Sequence, residues 1–543
     1  MACSFVVPSA GYARRLFPLS SNTPKILIKL NGVPLFSLLY KQALAEKCVN
    51  FIIAISKEFE HQLKTFVDCN YANAPIPIII RVVDDPSAGV LYSVLTALQA
   101  PECAQHALIV LSDTFYNAPF PKSNSYVIYK QVPEPVSRWC LIDTLKPIIE
   151  NVAVFVTAFH DKPIEKVNTN KALIGVYKVY TDAFKNSGER IIASNEKRMG
   201  EFQLSQAFQE YQWNGHPIEA FEAVDGAWHD TGTLETLRDA SNNFFLSRCF
   251  NHIKIEDGYL IKSSNKKEVI QKQYLWYQNF EHKDLIPAIY GYSETPEKAQ
   301  IKMELCAMPD LGTFFNYCIS EPVFFEQVIS SLLNTLTSRI WKNQSLFAEQ
   351  IAVDANEKMW LEKTWDRLHE MEFNQVSHPF PKWAILREYL EEVCKSPIIT
   401  PIHGDLILSN ILFDPQRMTF KLIDPRGSYG NLGLFGDLRY ELAKLLHSVD
   451  GKYESVIHDL YRIKDGQVIF YMSEDKKKCF EAAQEVIYKF AETKCISRKE
   501  IQAIEIILFL SMLPLHSENK SHQEAFYLIA IKLLENWYEK YSL

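Results

Sequence analysis

The stretch Ser4-Phe5-Val6-Val7-Pro8-Ser9-Ala10-Gly11-Tyr12-Ala13-Arg14-Arg15-Leu16-Phe17-Pro18-Leu19 decides the reading of the fold. Ser4 to Val7 reads as a buried strand, and the chain then breaks into a loop that holds Ala10, Gly11 and the pair Arg14-Arg15. A loop leaving the carboxyl end of a buried strand is where open α/β sheets bind their ligands. Gly11 lets the backbone approach a phosphate or a base closely. Arg15 offers a planar, permanently charged fork for a triphosphate. Lys25, in Thr23-Pro24-Lys25-Ile26-Leu27, places a second cation on the same loop.

Outward from this stretch, strand-like and helix-like patterns alternate. Pro34 starts a helical segment with Leu35, Leu38, Leu39 and Gln42. Phe51 to Ile55 and Ile78 to Val83 read as strands, and Ala107 to Leu111 is another continuous apolar run. Strands separated by helices predict a mostly parallel mixed sheet covered on both faces, over residues 1–245. The pattern changes there. Ile253 to Ser263 reads as antiparallel strands around an Asp257-Gly258 turn. Residues 326–396 and 476–540 read as long helices that flank a loop-and-strand segment, Pro401 to Gly436. The prediction is a second domain over 246–543, with a small lobe at about 246–310 and a helical large lobe at about 311–543. A chain of 543 residues is too long for a single core.

Five segments in order resemble the sugar-phosphate nucleotidylyltransferases, whose fold is Rossmann-like and whose opening pattern is Ala-Gly-x-Gly-x-Arg-x-x-Pro-Leu, then Pro-Lys. By that resemblance Ala10 and Gly11 bind nucleotide, and Arg15 and Lys25 are catalytic. Ala13 stands where the family has its second glycine. A Cβ restricts positive φ, so the loop is expected to be reshaped there. Ser87-Ala88-Gly89-Val90 resembles the loop that contacts the nucleobase, through Ser87 and Gly89. Leu111-Ser112-Asp113-Thr114 and Trp228-His229-Asp230-Thr231-Gly232 resemble the segments that carry two magnesium-binding aspartates, Asp113 and Asp230. Asp161-Lys162-Pro163 resembles a pair whose lysine, Lys162, contacts the acceptor phosphate; a solvated surface lysine is the alternative. In the implied reaction a phosphate monoester attacks the α-phosphorus of a nucleoside triphosphate and pyrophosphate leaves. Both reactants are anions, which explains the need for cations and Mg²⁺.

The segment His403-Gly404-Asp405-Leu406-Ile407-Leu408-Ser409-Asn410-Ile411-Leu412 is the most specific motif in the chain. Asp405 is placed as a base for a substrate hydroxyl, and Asn410, five residues on, can turn back to a metal. Asp424, in Leu422-Ile423-Asp424-Pro425-Arg426-Gly427, can hold the metal that bridges ATP phosphates. The His-Gly-Asp-Leu form resembles the aminoglycoside phosphotransferase and choline kinase family, with a bilobal protein-kinase-like α+β fold and a small alcohol or sugar as acceptor. That resemblance implies that Asp437 braces the catalytic loop, that Lys262 contacts ATP, and that Met303-Glu304-Leu305 forms an adenine-contacting hinge at Glu304. The helical stretch Val269 to Tyr277 offers Gln271 and Gln273 where the family has a glutamate partner for the lysine, with Glu268 just before it. A surface lysine at a strand end is the equal alternative for Lys262.

Formal net charge is −8, which disfavours nucleic acid and anionic membranes as partners. The eleven cysteines form no CxxC pair, so zinc and a disulfide framework are not expected. The apolar start is too short for a signal peptide, and the run Ile506 to Leu515 is too short to span a bilayer. The expected setting is the cytoplasm.

The two resemblances connect, because a kinase makes a phosphate monoester and a nucleotidylyltransferase consumes one. The implied product is an NDP-sugar for surface glycan synthesis, formed with CTP, UTP, GTP or dTTP, with ATP for the kinase and Mg²⁺ at both sites. CDP-choline is the alternative, and it would call for an aromatic cage around the quaternary ammonium. A second alternative is a transferase with a non-catalytic, nucleotide-binding kinase-like regulator. Sequence alone does not name the acceptor, the base or the oligomeric state.

Overall fold

The computed structural model describes residues 2–145, 154–163, 165–243, 252–342, 347–369 and 380–541. The expected boundary at 245/246 lies outside the described residues. The chain folds as two units, Met1–Val67 with Ala74–Phe244, and Asp68–Asn73 with Phe245–Leu543.

The first unit is built on a nine-stranded sheet. Its strands are β1 (Cys3–Pro8), β2 (Asn50–Ser56), β3 (Ile78–Val83), β4 (His106–Val110), β6 (Tyr126–Gln131), β7 (Cys140–Thr144), β8 (Val156–Asp161), β9 (Lys171–Tyr180) and β10 (Glu219–Glu222). A separate ribbon joins β5 (Thr114–Tyr116) to β11 (Trp228–Asp230). The main path runs β8-β7-β9-β4-β1-β2-β3. Strands β4, β1, β2 and β3 are mutually parallel. Beyond β4 the sheet is mixed: β9 runs antiparallel to β4 and also pairs antiparallel with β6 and β7.

Strand alternation explains why both faces are covered. Val6, Ile52 and Ala54 pack with Leu91, Val94 and Leu95 of the helix Val90–Leu98. Their neighbours Phe5 and Phe51 point the other way and stack at 5.4 Å, and Phe51 meets Phe36 of the helix Leu35–Ala45 edge-on. The chain leaves β1 toward β2 on one side and returns to β4 on the other. The crevice at the carboxyl ends of β1 and β4 is therefore the switch point where such sheets bind ligands.

The second unit begins with four antiparallel strands, His252–Glu256, Tyr259–Ser264, Ala299–Glu304 and Ile289–Glu294 in spatial order. Asp257 and Gly258 both have positive φ, 51° and 79°, the pairing that a two-residue hairpin turn requires. A helix, Lys267–Asn279, follows the second strand, so Glu268 lies in its first turn and not before it. The rest is largely helical, and its longest elements are Pro322–Arg339, Glu474–Thr493, Arg498–Met512 and Lys520–Tyr541. The helix Arg498–Met512 starts on a Ser497–Glu500 capping box and stops two residues before Pro514, which restricts the residue ahead of it. A short hairpin, Ile411–Asp414 with Thr419–Leu422, and a separate antiparallel pair, Ile399–Pro401 with Phe435–Asp437, carry the segment around His403. Among the described residues no helix is long and apolar enough to cross a membrane.

Candidate active sites

In the first unit, the loop after β1 forms a one-turn helix, Arg14–Leu16, and a second one, Lys25–Leu27, starts after Pro24. Ala13 sits in the left-handed region at φ 47°, ψ 40°. Ala13 therefore takes the backbone conformation in which glycine is usual, in spite of its Cβ. Its carbonyl accepts from the Leu16 N–H at 2.9 Å and from the Ser20 hydroxyl at 2.8 Å, which holds the turn in place.

Asp113 follows β4 and leads directly into β5. The β5–β11 ribbon sets Asp230 opposite Thr114, and the Thr231 N–H and hydroxyl both donate to the Asp113 carbonyl, at 2.8 and 3.0 Å. Two aspartates far apart in sequence thus share one corner. Gly232 marks its centre. A Cβ built there would lie 3.1 Å from an oxygen of each carboxylate and 3.5 Å from the Arg15 guanidinium. The Lys25 ammonium lies 2.5 Å from Asp113. Burial raises the Asp113 pKa, but the Lys25 charge and hydrogen bond, with Arg15 behind, hold it below the usual carboxylate value. Asp230 is displaced upward by burial and by the Asp113 charge, against a hydrogen bond from the Gly232 N–H. Two carboxylates that disfavour each other's ionisation are a donor pair suited to a hard divalent cation.

Ala10 is buried at the end of β1, and Gly11 is exposed with open space around its α-carbon. Ser87 gives both its N–H and its hydroxyl to Asp85. Gly89 has φ 106°, and a Cβ there would meet the Phe202 carbonyl at 2.7 Å, so this loop needs glycine. Lys162 has φ 46° at the end of β8, its N–H donates to the Trp139 carbonyl, and it forms no ion pair among the described residues. The structure brings Arg15, Lys25, Asp113 and Asp230 together; Ser87, Gly89 and Lys162 touch none of them. Gly232 carries no signal of its own in the sequence. Its value lies in a missing side chain, which only the assembled corner reveals.

In the second unit, the Asn410 side-chain amide donates to the Asp405 carbonyl at 2.8 Å and to its carboxylate at 3.1 Å. The Ile423 N–H donates to the Asn410 carbonyl and the Arg426 N–H to the His403 carbonyl, so the two motif loops are laced together. Asp424, at φ 57°, receives the Lys262 ammonium at 2.6 Å. Lys262 is 2% exposed, which removes the surface-lysine alternative. Its carboxylate partner is Asp424, and Glu268 is exposed on the helix. Glu304 accepts from Lys421 and from the Ala288 N–H, and its own N–H donates to the Ala288 carbonyl.

The expected bracing of the His403 loop by Asp437 is not what the structure shows. Asp437 is fully buried, but it receives Arg439, Asn356 and the Ile398 N–H. The residue that holds the loop is Glu441, which accepts from the His403 N–H at 2.9 Å and the Gly404 N–H at 2.8 Å. Burial pushes its pKa up to about 7 against those bonds. Burial also pushes His403 down to about 4; its ring contacts the Ile423 carbonyl at 2.9 Å. Lys444, one turn after Tyr440, reaches Asp405 at 3.0 Å. Glu441 and Lys444 looked like ordinary helix residues in the sequence, because only tertiary packing turns that face toward the loop. Among the described residues no cluster of three or more acidic, histidine or cysteine side chains could hold a metal.

Residues 5–245 match the nucleotidyl transferase family. The first unit is therefore a nucleotidyl transferase domain. No curated protein matches the chain. Solved structures similar to it include an apo UDP-glucose pyrophosphorylase, 20% identical with a TM-score of 0.39, covering 45% of this chain and 97% of that one. A UDP-glucose pyrophosphorylase from Acinetobacter baumannii is 16% identical, with a TM-score of 0.38 and coverage of 45% and 94%. A nucleoside-diphosphate-sugar pyrophosphorylase from Vibrio cholerae is 18% identical, with a TM-score of 0.36 and coverage of 44% and 99%.

Proposed function

We propose that the first unit couples a sugar phosphate to a nucleoside triphosphate, and that the second unit is an ATP-dependent kinase for a small hydroxyl compound. The observation that carries the first reading is the convergence of Arg15, Lys25, Asp113 and Asp230 around the bare α-carbon of Gly232. In the proposed reaction a phosphate oxygen of the sugar phosphate forms a bond to the α-phosphorus. The bond from that phosphorus to the α–β bridging oxygen breaks, and pyrophosphate leaves with the electron pair. Arg15 and Lys25 stabilise the charge gathering on the transferred and departing groups. Asp113 and Asp230 would hold Mg²⁺, which when bound neutralises phosphate charge. Asp113 also holds the Lys25 ammonium aimed into the corner before substrate arrives. Ala10, Gly11, Ser87 and Gly89 are assigned to the nucleotide and Lys162 to the acceptor phosphate.

For the second unit, the support is the ring Lys262–Asp424 and Asn410–Asp405 on two laced loops. Asp405 takes the acceptor's hydroxyl proton, Lys262 orients ATP, Glu304 lies at the adenine hinge, and Asn410 with Asp424 would hold Mg²⁺. The joint product would be an NDP-sugar. The test is pyrophosphate release from CTP, UTP, GTP and dTTP with several sugar phosphates and phosphocholine, run beside ATP-dependent phosphorylation of small alcohols. Asp113→Asn should abolish only the first activity and Asp405→Asn only the second. No pyrophosphate release in any combination overturns the transferase reading, and release only with phosphocholine replaces the sugar by choline.

A further inference from the structure

Cys3 and Cys48 stand side by side at the amino end of the first unit's sheet. Cys3 opens β1, and Cys48 lies between the helix Leu35–Ala45 and β2. The two strands run in parallel register with Ser4 opposite Asn50, so Cys3 lies beside Val49. The Val49 N–H donates to the Cys3 carbonyl at 2.9 Å, and the Cys48 N–H to the Ala43 carbonyl at 3.0 Å, which fixes both backbones. Side chains alternate along a strand, so Cys3 shares the face of Phe5, the face that the helix Leu35–Ala45 covers. Cys48 comes to the same face from the end of that helix, and the two thiols share a hydrogen bond. Neighbouring strands lie about 4.8 Å apart and a residue rises about 3.3 Å. Positions one residue off register therefore fall within the span of about 4.4–6.8 Å between Cα atoms that a disulfide bridges.

The two thiols are unlike. Cys3 is partly exposed and Cys48 is buried. The hydrogen bond from Cys48 lowers the Cys3 pKa against burial, with the Lys178 ammonium assisting and Glu46 opposing. The same bond, and then burial, raise Cys48. An accessible thiol that ionises readily beside a buried one that does not is the arrangement of an attacking and a resolving cysteine. Cys103 is not the partner. The Ala104 N–H donates to the Ser4 hydroxyl at 2.7 Å and the Ala104 carbonyl accepts from the Thr181 hydroxyl at 2.6 Å, which places Cys103 with Ser4 on the opposite face of β1.

We propose that Cys3 and Cys48 form a reversible disulfide by exchange with a small disulfide. The Cys3 thiolate attacks one sulfur of that disulfide, its S–S bond breaks, and one half leaves as a thiolate. Cys48 then gives its proton to water and attacks the Cys3 sulfur, and the second half leaves as a thiolate. Two cysteines are oxidised, one small disulfide is reduced to two thiols, and the leaving thiolates take up the two protons. The bond joins β1 to the turn that leads into β2, at the end of the strand away from Gly11 and Arg15. It therefore fastens the first strand of the sheet without entering the corner of Asp113 and Asp230.

The experiment uses the full native chain in glutathione buffers stepped from reduced to oxidised. Exchange is stopped with acid, remaining thiols are alkylated, and tryptic peptides are mapped by mass spectrometry without reduction. The expected product is a peptide pair linked through Cys3 and Cys48, which dithiothreitol separates. Cys48→Ser should instead accumulate a mixed glutathione disulfide at Cys3, and Cys3→Ser should leave Cys48 reduced. The native chain decides the question even where a variant folds poorly, and the exposed Cys495 reports that the oxidant has acted. Cys3 left reduced while Cys495 carries glutathione overturns the proposal. So does a Cys3–Cys103 link, or a stable mixed disulfide at Cys3 in the native chain.

Discussion

The Lys25 ammonium lies 2.5 Å from an Asp113 carboxylate oxygen, at the corner that Asp230 and Arg15 also enter. Lys25 is therefore placed by an acid and not by its loop alone. Lys25→Ala removes a positive charge from the side of the developing oxyanions and leaves Asp113 facing Asp230 with less compensation. Pyrophosphate release should fall by about 10² to 10³ in kcat, the size of effect typical for one stabilising donor. Lys25→Arg should recover part of it. Unchanged kcat in steady-state assays would remove Lys25 from the mechanism.

Ala13 carries its positive φ at a cost. A residue with a Cβ loses about 1–2 kcal/mol in the left-handed region, whereas glycine does not. Ala13→Gly relieves that strain but gives the unfolded chain more freedom, worth about 0.5–1 kcal/mol in the other direction. The net expectation is a gain of up to about 1 kcal/mol. Chemical denaturation followed by a probe in the first unit measures it. A loss of stability would show that the Ala13 methyl makes contacts worth more than the strain.

Much of this architecture was legible in the sequence, and the exceptions have physical causes. The parallel strands read correctly because they are rich in β-branched and other apolar residues: Phe51 to Ile55 falls within the fully buried Asn50–Ser56, and Ile78–Val83, partly buried and interrupted by Arg81, still matches its expected span. The antiparallel half of the sheet was not read, since strands such as Val156–Asp161 are only partly buried and carry weak periodicity. The meeting of Asp113 with Asp230 was expected by resemblance, and the β5–β11 pairing is the device that achieves it. Asp437 was given the loop-bracing role that belongs to Glu441, one helical turn on. A buried carboxylate's choice between a nearby arginine and a loop amide is set by tertiary geometry, which spacing does not encode.

Glu441 supplies acceptors to two adjacent N–H groups in a buried site. Glu441→Ala leaves both donors unsatisfied, at about 1–3 kcal/mol each. The catalytic loop should loosen, so ATP-dependent phosphorylation falls at least about tenfold while pyrophosphate release stays unchanged. Both activities are assayed on one preparation. Equal loss of the two would point to global unfolding instead of a local role.

Glu505 gives the clearest pH dependence in the chain. It is fully buried in the helix Arg498–Met512, and burial, then the Asp450 charge, raises its pKa well above the value of 4.5 for a free glutamate. Asp450 is itself raised by burial, so it acts with the same sign. A carboxyl whose folded pKa exceeds its unfolded one favours folding fully below the unfolded value. That contribution declines as pH rises above about 4.5 and is gone once pH passes the folded pKa. Glu505→Gln keeps the shape, cannot ionise and removes this slope. The variant should gain little at about pH 5 and progressively more toward about pH 8, by about 1.4 kcal/mol for each pH unit over which the native chain keeps a proton that the unfolded chain has released. Urea denaturation of both proteins at the two pH values, with a probe in the second unit, gives the difference directly. An equal effect at both would mean that the Glu505 carboxyl is ionised in the folded chain, stabilised by groups that overcome its burial.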